Sequence, residues 1–223
     1  MELEQALLSR RSVRDFLPEP VSLDMMMQLL ATASRAPSGG NLQPWHVDVV
    51  TGDALVRLKA AVRERLAEFP RGEPVEYHMY PPGLGEPYNT RRYQLGEDMY
   101  ATLGVTRENK AGRWAQFNRN FEAFGAPMLL FFSLGRSMGP PQWADMGMYL
   151  QSLMLLIRAR GLDSCPQESW SLFPEFLRGF LGHPHERILW CGLAVGRANT
   201  LHPVNALRAQ RAGLDEFVRT HTA

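Results

Sequence analysis

The sequence predicts a single domain, residues 1–223, that contains both α-helices and buried β-strands. Its 223 residues are enough for one sizeable core, and 45% apolar with 21% charged residues is usual for a globular protein. Stretches with apolar residues at helical spacing alternate with short, continuous apolar runs of the kind that buried strands show. Only residues 69–114 lack this patterning clearly.

The first part of the chain predicts three helices and one strand. A short first helix ends near Ser9, and Ser22 caps a second helix whose methionines and leucines face the core. Val47 to Val50 is the first strand. Asp53 is predicted to cap a third helix, which has one apolar face that extends to Leu66.

The second half of the chain predicts two more strands and two more helices. The apolar run from Pro127 to Leu134 predicts a fully buried strand, and Gly139 to Pro141 predicts a turn. The longest helix extends from Trp143 to Arg160 and is apolar on nearly every face, so burial inside the domain or at a subunit interface would explain it equally well. A short helix from Leu172 to Leu181 and a buried strand from Ile188 to Val195 follow.

Residues 69–114 interleave prolines, glycines and tyrosines, and the strong apolar periodicity is lost there. A long, aromatic-bearing loop in a compact domain is often a lid or a binding loop. We therefore predict that this excursion forms an active-site lid. A loop that is ordered only by its own prolines is the alternative.

The stretch after the second helix combines several features of a binding loop. It reads Ala-Pro-Ser-Gly-Gly-Asn-Leu-Gln-Pro-Trp over residues 36–45. Its prolines fix the backbone φ, its glycines allow close approach of another molecule, and Ser38, Asn41 and Gln43 offer hydrogen-bonding groups. The stretch is either a loop that ends a helix or a loop that binds a flat ligand.

Arginines cluster near both ends of the chain, and a serine accompanies the first group: Arg10, Arg11, Ser12, Arg14, Arg208 and Arg211. If these planar, multi-donor side chains converge, they make a phosphate clamp. Gly39 and Gly40 could bring backbone amides to a planar ring, and the polar elbow from Pro166 to Ser169 could supply more contacts. A phosphate at one end and an isoalloxazine ring at the other would be FMN.

Other chemistries have less support in the sequence. Motifs for a Rossmann site, a phosphate-binding NTPase loop and a serine-hydrolase elbow are missing. His183 and His185 flank a proline, which is a spacing typical of a loop, so we expect no metal. The formal net charge of +1 gives no bulk electrostatic case for nucleic acid or an anionic membrane as partner.

The cysteines and the N-terminus bear on the compartment. Cys165 and Cys191 lie far apart, and we expect buried, reduced thiols rather than a disulfide. The N-terminus shows no signal-peptide pattern, and no run approaches the roughly 18 apolar residues that span a bilayer. We therefore expect a cytoplasmic protein.

Several segments together resemble signatures of the FMN-dependent nitroreductase family. Four of them carry the resemblance, in order along the chain: Arg10-Arg11-Ser12-Val13-Arg14-x-Phe16, Ala36 to Trp45, Gly161-Leu-Asp-Ser-Cys-Pro-Gln-Glu168 and Gly192-Leu-Ala-Val-Gly196. Asn205, Arg208, Arg211 and Leu214-Asp-Glu216 extend it. The resemblance covers nearly the whole chain, and residues 69–114 contribute least to it.

The resemblance implies an α+β fold, with a mixed sheet flanked by helices, in an intertwined homodimer that has two FMN sites at the interface. The helix from Trp143 to Arg160 would then be the dimer core. The arginine group and Ser12 would hold the FMN phosphate and ribityl chain. The ring would be contacted by the following residues, of which 37–41 would come from the partner subunit: Pro37, Ser38, Gly39, Gly40, Asn41, Gln43, Pro166, Gln167 and Glu168.

The activity that the resemblance implies is NAD(P)H-dependent reduction of nitroaromatics, quinones or related small electrophiles by ping-pong hydride transfer. The flavin carries the chemistry, so no catalytic side chain is expected. Tyr88, Arg91 and Arg92 in the excursion are predicted to contact the acceptor. Open alternatives are reductive dehalogenation, ene reduction or flavin breakdown, and a non-enzymatic flavin-binding redox sensor.

Overall fold

The computed structural model describes residues 1–222 and shows helices and strands alternating along the chain. Within those residues there are seven α-helices: α1 (Leu3–Ser9), α2 (Leu23–Ala33), α3 (Gly52–Glu68), α4 (Tyr88–Thr102), α5 (Lys110–Asn118), α6 (Pro140–Ala159) and α7 (Pro174–Leu181). The strands are β1 (Phe16–Leu17), β2 (His46–Thr51), β3 (Met128–Gly135), β4 (Asp163–Gln167) and β5 (Arg187–Ala198). Short 3₁₀ turns cover Gly39–Asn41, Arg119–Gly125, Glu168–Leu172, Pro203–Ala206 and Leu214–Glu216.

The five strands form one sheet that is organised around β5. The strand order is β1–β5–β3–β2, and β4 also pairs with β5. These pairings are antiparallel, and a parallel bridge joins Ser12 to Ser164. The predicted α+β fold, with a mixed sheet flanked by helices, is therefore confirmed.

β3 divides its side chains between two apolar layers. Leu129 and Phe131 lie in the layer that α3 and α7 cover, whereas Leu130 and Phe132 lie in the layer that α2 and α6 cover. All four side chains are 0% exposed. Because both faces of the sheet are covered, the strand is continuously apolar rather than alternating. The predicted buried strand is confirmed.

Three details of the elements differ from the sequence prediction. Asp53 does not cap α3, which begins at Gly52, but lies in its first turn, where an acid still favours the helix dipole. Pro140 and Pro141 do not form a separate turn; they open α6, where a missing N–H breaks no hydrogen bond. The excursion contains α4 and the start of α5. The loss of apolar periodicity did not predict α4, because this helix buries none of its residues.

A single chain covers α6 only in part. Met146, Leu150 and Leu153 are buried, whereas Met148 is 39% exposed and Leu155 is half-buried. The domain alone therefore does not bury this helix on all sides. Burial inside the domain therefore does not explain why this helix is apolar on nearly every face. A subunit interface is the explanation that remains.

The buried carboxylate of Glu73 fastens the beginning of the excursion to two helices. Its Oε1 accepts a hydrogen bond from Nε of Arg65 on α3 at 2.6 Å. Its Oε2 accepts from the backbone N–H groups of Glu175 and Phe176, in the first turn of α7, at 2.9 and 3.2 Å. These N–H groups have no partner within their own helix, so Glu73 acts as a cap supplied from a distant loop.

We expect Glu73→Ala to lower the free energy of unfolding by about 3 kcal/mol, because it leaves buried donors unpaired. Urea denaturation measures the change. Glu68→Ala is the matched control: Glu68 also pairs with Arg65, at 2.6 Å, but its side chain is 61% exposed, so its loss should barely move the midpoint. Equal effects of the two substitutions would contradict the role of Glu73.

Candidate functional site

Asn205 joins the two ends of the chain. It is 3% exposed, and its side-chain oxygen accepts a hydrogen bond from the backbone N–H of Arg14 at 2.8 Å. Its side-chain nitrogen donates to the backbone oxygens of Asp15 at 2.7 Å and Asn199 at 2.9 Å. A buried amide that is paired on both of its polar atoms fixes all the segments it touches. As a result, the N-terminal and C-terminal arginines meet.

These arginines line one cavity of about 570 Å³, which we call the arginine cavity. The six residues predicted to hold a phosphate all line it: Arg10, Arg11, Ser12, Arg14, Arg208 and Arg211. Leu7 of α1 and Leu95 of α4 also line it. The cavity thus gathers five guanidinium-bearing residues and one hydroxyl from the two ends of the sequence.

The arginines that line the arginine cavity are partly buried and repel one another. Burial lowers the pKa of Arg10, and the nearby Arg211 lowers it further. Burial likewise lowers the pKa of Arg11, and Arg208 adds to the effect. The Nε of Arg11 is buried without a hydrogen-bond partner in the described part of the chain. Guanidinium groups remain protonated at neutral pH, so a multivalent anion here would offset the repulsion between them.

The N-terminal arginine segment lies alongside β4. The backbone N–H of Val13 donates to the backbone oxygen of Ser164 at 3.1 Å. This contact brings Arg14 next to a second cavity, the elbow cavity, of about 370 Å³, which residues 166–168 line. Arg14 lines both cavities. An anion site and the polar elbow that follows β4 are therefore neighbours.

The elbow cavity has the make-up of a site for a planar ligand. Its aromatic walls are Tyr80, Tyr100, Phe117 and Phe124. Gln167 is 2% exposed and directs its Nε2 to the backbone oxygen of Asn120 at 2.8 Å, so its side chain is committed to the fold. Burial raises the pKa of Glu168. Apolar walls with few polar groups are typical of cofactor and small-molecule sites.

The loop 36–45 is fixed to α6 and lines neither of these two cavities within the chain. The backbone N–H of Gly39 donates to both carboxylate oxygens of the buried Asp145 at 3.3 Å. Gly40, Asn41 and Gln43 adopt left-handed φ values of 57°, 59° and 50°. Such backbone is strained for Asn and Gln and is common in ligand-binding turns. Residues 39–43 are exposed in the single chain.

The three residues predicted to contact the acceptor are divided in space. Arg91 and Arg92 line a third cavity, the α4 cavity, of about 510 Å³, between α4 and the C-terminal segment. Tyr88 is 61% exposed and lines none of the three cavities. Tyr80 and Tyr100 line the elbow cavity instead, and sequence reasoning did not single them out. The tyrosine content of the excursion was the one signal that could have found them.

Other candidate chemistries find no support in residues 1–222. No group of three or more His, Cys, Asp or Glu side chains there is placed to hold a metal ion. The Nε2 of His183 lies 2.7 Å from the Oδ2 of Asp48. Cys165 and Cys191 are free and buried, as the sequence predicted. None of the helices in this part of the chain combines the length and apolarity of a bilayer-spanning segment.

Comparison with known proteins places this site in a family. The model of the Nitroreductase family matches residues 7–197. A nitrobenzene nitroreductase from Ectopseudomonas oleovorans is 36% identical over 222 residues, which cover 96% of this chain and 95% of that protein.

Two solved structures resemble the whole chain. The FMN and NADPH-dependent nitroreductase NfnB from Sphigopyxis sp. strain HMH matches with a TM-score of 0.97 at 47% identity, over 100% of both chains. The FMN-dependent nitroreductase NfnB from Mycobacterium smegmatis, in complex with NADPH, matches with a TM-score of 0.92 at 34% identity, over 98% of this chain and 97% of that chain. The predicted family is confirmed, and the chain belongs to the Nitroreductase family.

Proposed function

We propose that this protein is an FMN-dependent NAD(P)H oxidoreductase that reduces nitroaromatic acceptors. The arginine cavity carries the proposal, because it shares Arg14 with the elbow cavity and thereby joins an anion site to a site for a planar ring. Two solved relatives are described as FMN-dependent nitroreductases, which bears out the predicted class of enzyme and its cofactor.

The residues of the two cavities suit FMN. The phosphate would offset the repulsion between the buried arginines and supply an acceptor for the unpaired Nε of Arg11. The isoalloxazine ring would lie along residues 166–168, whose Gln167 side chain is turned into the fold and leaves the backbone groups to the ring. Buried polar atoms of Gln116 and Ser169, two residues that line the elbow cavity, also lack partners within residues 1–222.

The chain's own part in the reaction is to bind, orient and shield. FMN, when bound, supplies the hydride-transfer chemistry. The arginines hold the phosphate end, and the aromatic walls of the elbow cavity exclude water beside the ring. Cationic groups near the ring stabilise negative charge in a low-dielectric site. No acid–base pair of side chains is needed for this chemistry.

The relatives indicate the kind of acceptor. They include nitrobenzene and 4-nitrobenzoate reductases, so we propose a small nitroaromatic acceptor, with quinones as further candidates. These relatives do not favour dehalogenation, ene reduction, flavin breakdown or a sensor role. The predicted lid function of residues 69–114 and the acceptor contacts of Tyr88 remain part of the proposal. A cytoplasmic location, supplied with NAD(P)H, is supported by two buried free thiols.

We further propose a homodimer in which the loop 36–45 of one subunit completes the site of the other. Three observations support it. Residues 39–43 of the loop are exposed, the backbone of Asn41 and Gln43 is strained, and the loop lines neither the arginine cavity nor the elbow cavity of its own chain. An apolar groove between α1, the start of the loop and α6 includes Leu3, Pro37 and Leu155, and a second subunit would cover it.

The proposed function is tested on the purified protein. It should be yellow, release FMN on denaturation, lose its flavin absorption when NADPH is added without oxygen, and oxidise NAD(P)H in the presence of nitrobenzene. A protein that stays colourless after incubation with FMN would refute the cofactor assignment. Bleaching by NADPH without turnover of any nitroaromatic would refute the acceptor class.

The phosphate clamp predicts a specific loss of flavin affinity. Arg14→Ala should weaken FMN binding by about 10- to 100-fold, the effect of about 1.5–3 kcal/mol for a charge-assisted hydrogen bond. Fluorescence titration of the apoprotein with FMN measures it. Arg57→Ala is the control, because Arg57 is exposed on α3 and lines none of the three cavities. Unchanged affinity in the Arg14 variant would remove this residue from the site.

If a second subunit covers the apolar groove, a charge placed in that groove should weaken both dimer assembly and FMN binding. Leu155→Glu should give particles of 25.2 kDa, the mass of one chain, in light scattering, whereas the unaltered protein should have twice that mass. The same substitution should weaken FMN binding, because the partner's loop is lost. Leu201→Glu changes a residue that is 92% exposed and should do neither. A monomeric unaltered protein with full FMN affinity would contradict the dimer.

A further inference from the structure

The α4 cavity borders both of the cavities assigned to FMN. It shares Leu95, Ala209 and Arg211 with the arginine cavity, and it shares Tyr80 with the elbow cavity. A ligand in the α4 cavity would therefore touch the surroundings of both ends of the flavin. The proposed flavin site leaves this cavity of about 510 Å³ without a function.

Three arginines, Arg91, Arg92 and Arg211, and two acids, Asp98 and Glu216, line the cavity, so positive charge is in excess by one. Arg91 forms an ion pair with Glu216 at 2.6 Å, but both side chains are nearly half exposed, at 43% and 47%. Arg92 places its guanidinium 4.7 Å from the centre of the Tyr80 ring. Within residues 1–222, neither Arg92 nor Arg211 forms an ion pair with a carboxylate. Arg211 belongs to the phosphate clamp and donates to the backbone oxygens of Ala209 and Gln210, so Arg92 is the guanidinium of this cavity that is left for another anion.

We propose that the α4 cavity binds the adenosine 2′-phosphate end of NADPH and makes this protein prefer NADPH to NADH. The inference rests on the proposed function, in which the nicotinamide ring must reach the flavin in the elbow cavity. The α4 cavity, which arginines line, shares Tyr80 with the elbow cavity and is therefore next to it. Guanidinium groups bind phosphate through several N–H donors at once. Arg91 and Arg92 contact the 2′-phosphate, and the Tyr80 ring offers a flat surface to the adenine.

Glu216 competes with the phosphate for Arg91. Its Oε2 accepts a hydrogen bond from Nη2 of Arg91 at 2.6 Å. An exposed ion pair of this kind contributes little free energy, so a phosphate displaces it at small cost. The carboxylate nevertheless repels a dianion. Removing its charge therefore has an effect opposite in sign to removing an arginine.

The test measures binding of a nucleotide fragment that cannot be oxidised. Isothermal titration of the FMN-loaded protein with 2′,5′-ADP should show binding, and Arg92→Met should weaken it at least tenfold. Affinity for 5′-AMP, which lacks the 2′-phosphate, should change less than threefold. Arg107→Met is the matched control, because Arg107 stacks on Tyr93 at 5.5 Å in the same excursion but lies outside the α4 cavity.

Glu216→Gln separates a binding role from a folding defect. It should tighten 2′,5′-ADP binding several-fold, whereas damage to the excursion would weaken it. In the reductive half-reaction, Arg92→Met should lower kcat/KM for NADPH at least tenfold and leave that for NADH within threefold. Equal losses with both nucleotides, or no binding of 2′,5′-ADP by the unaltered protein, would overturn the inference. Flavin reduction by either nucleotide in that case would leave the proposed function standing.

Discussion

The candidate site depends on the buried side chain of Asn205. Its hydrogen bond to Arg14 spans 191 residues of sequence, and closing such a long loop has a large entropic cost that the bond alone does not meet. The pairing of β1 with β5 brings the same segments together. Asn205 then fixes their relative position through its hydrogen bonds to Arg14, Asp15 and Asn199. Without that constraint, the arginines at the two ends of the chain would repel one another and separate.

The same constraint explains why the folded protein tolerates its clustered cations. Burial and mutual repulsion already lower the pKa values of Arg10 and Arg11, so the fold holds these residues in an unfavourable state. A bound anion reverses the sign of this energy, because each guanidinium then gains a partner. Functional sites commonly keep such local conflicts, which the rest of the structure outweighs. The cofactor should therefore stabilise the fold by mass action as well as complete the site.

The sequence predicted most of the core and less of the site. Strands such as β3 and helices such as α2 were found because burial imposes a periodic or continuous apolar pattern. Helix α4 was missed because it buries no residue and therefore has no apolar stripe. Motifs identified the arginines and the loop 36–45, but no local pattern reveals that Asp145, more than a hundred residues away, anchors Gly39. Nor does sequence order show that Tyr80 lines both the elbow cavity and the α4 cavity, whereas Arg91 lines only the α4 cavity of these two.

In the proposed function, the excursion bears on the choice of substrate more than on the binding of the cofactor phosphate. The arginine and elbow cavities are built largely on segments that β5 and its neighbours fix. Helix α4, which buries none of its residues, is attached instead by side-chain pairs, such as the half-exposed pair of Arg91 with Glu216 and the partly buried pair of Arg113 with Glu97. Regions held in this way open at low free energy and tolerate substitution without disturbing the core. Because Leu95 and Tyr80 belong to the excursion and also line the cavities proposed for the flavin, we expect changes there to alter access to the flavin, whereas the arginines of the phosphate clamp lie outside the excursion.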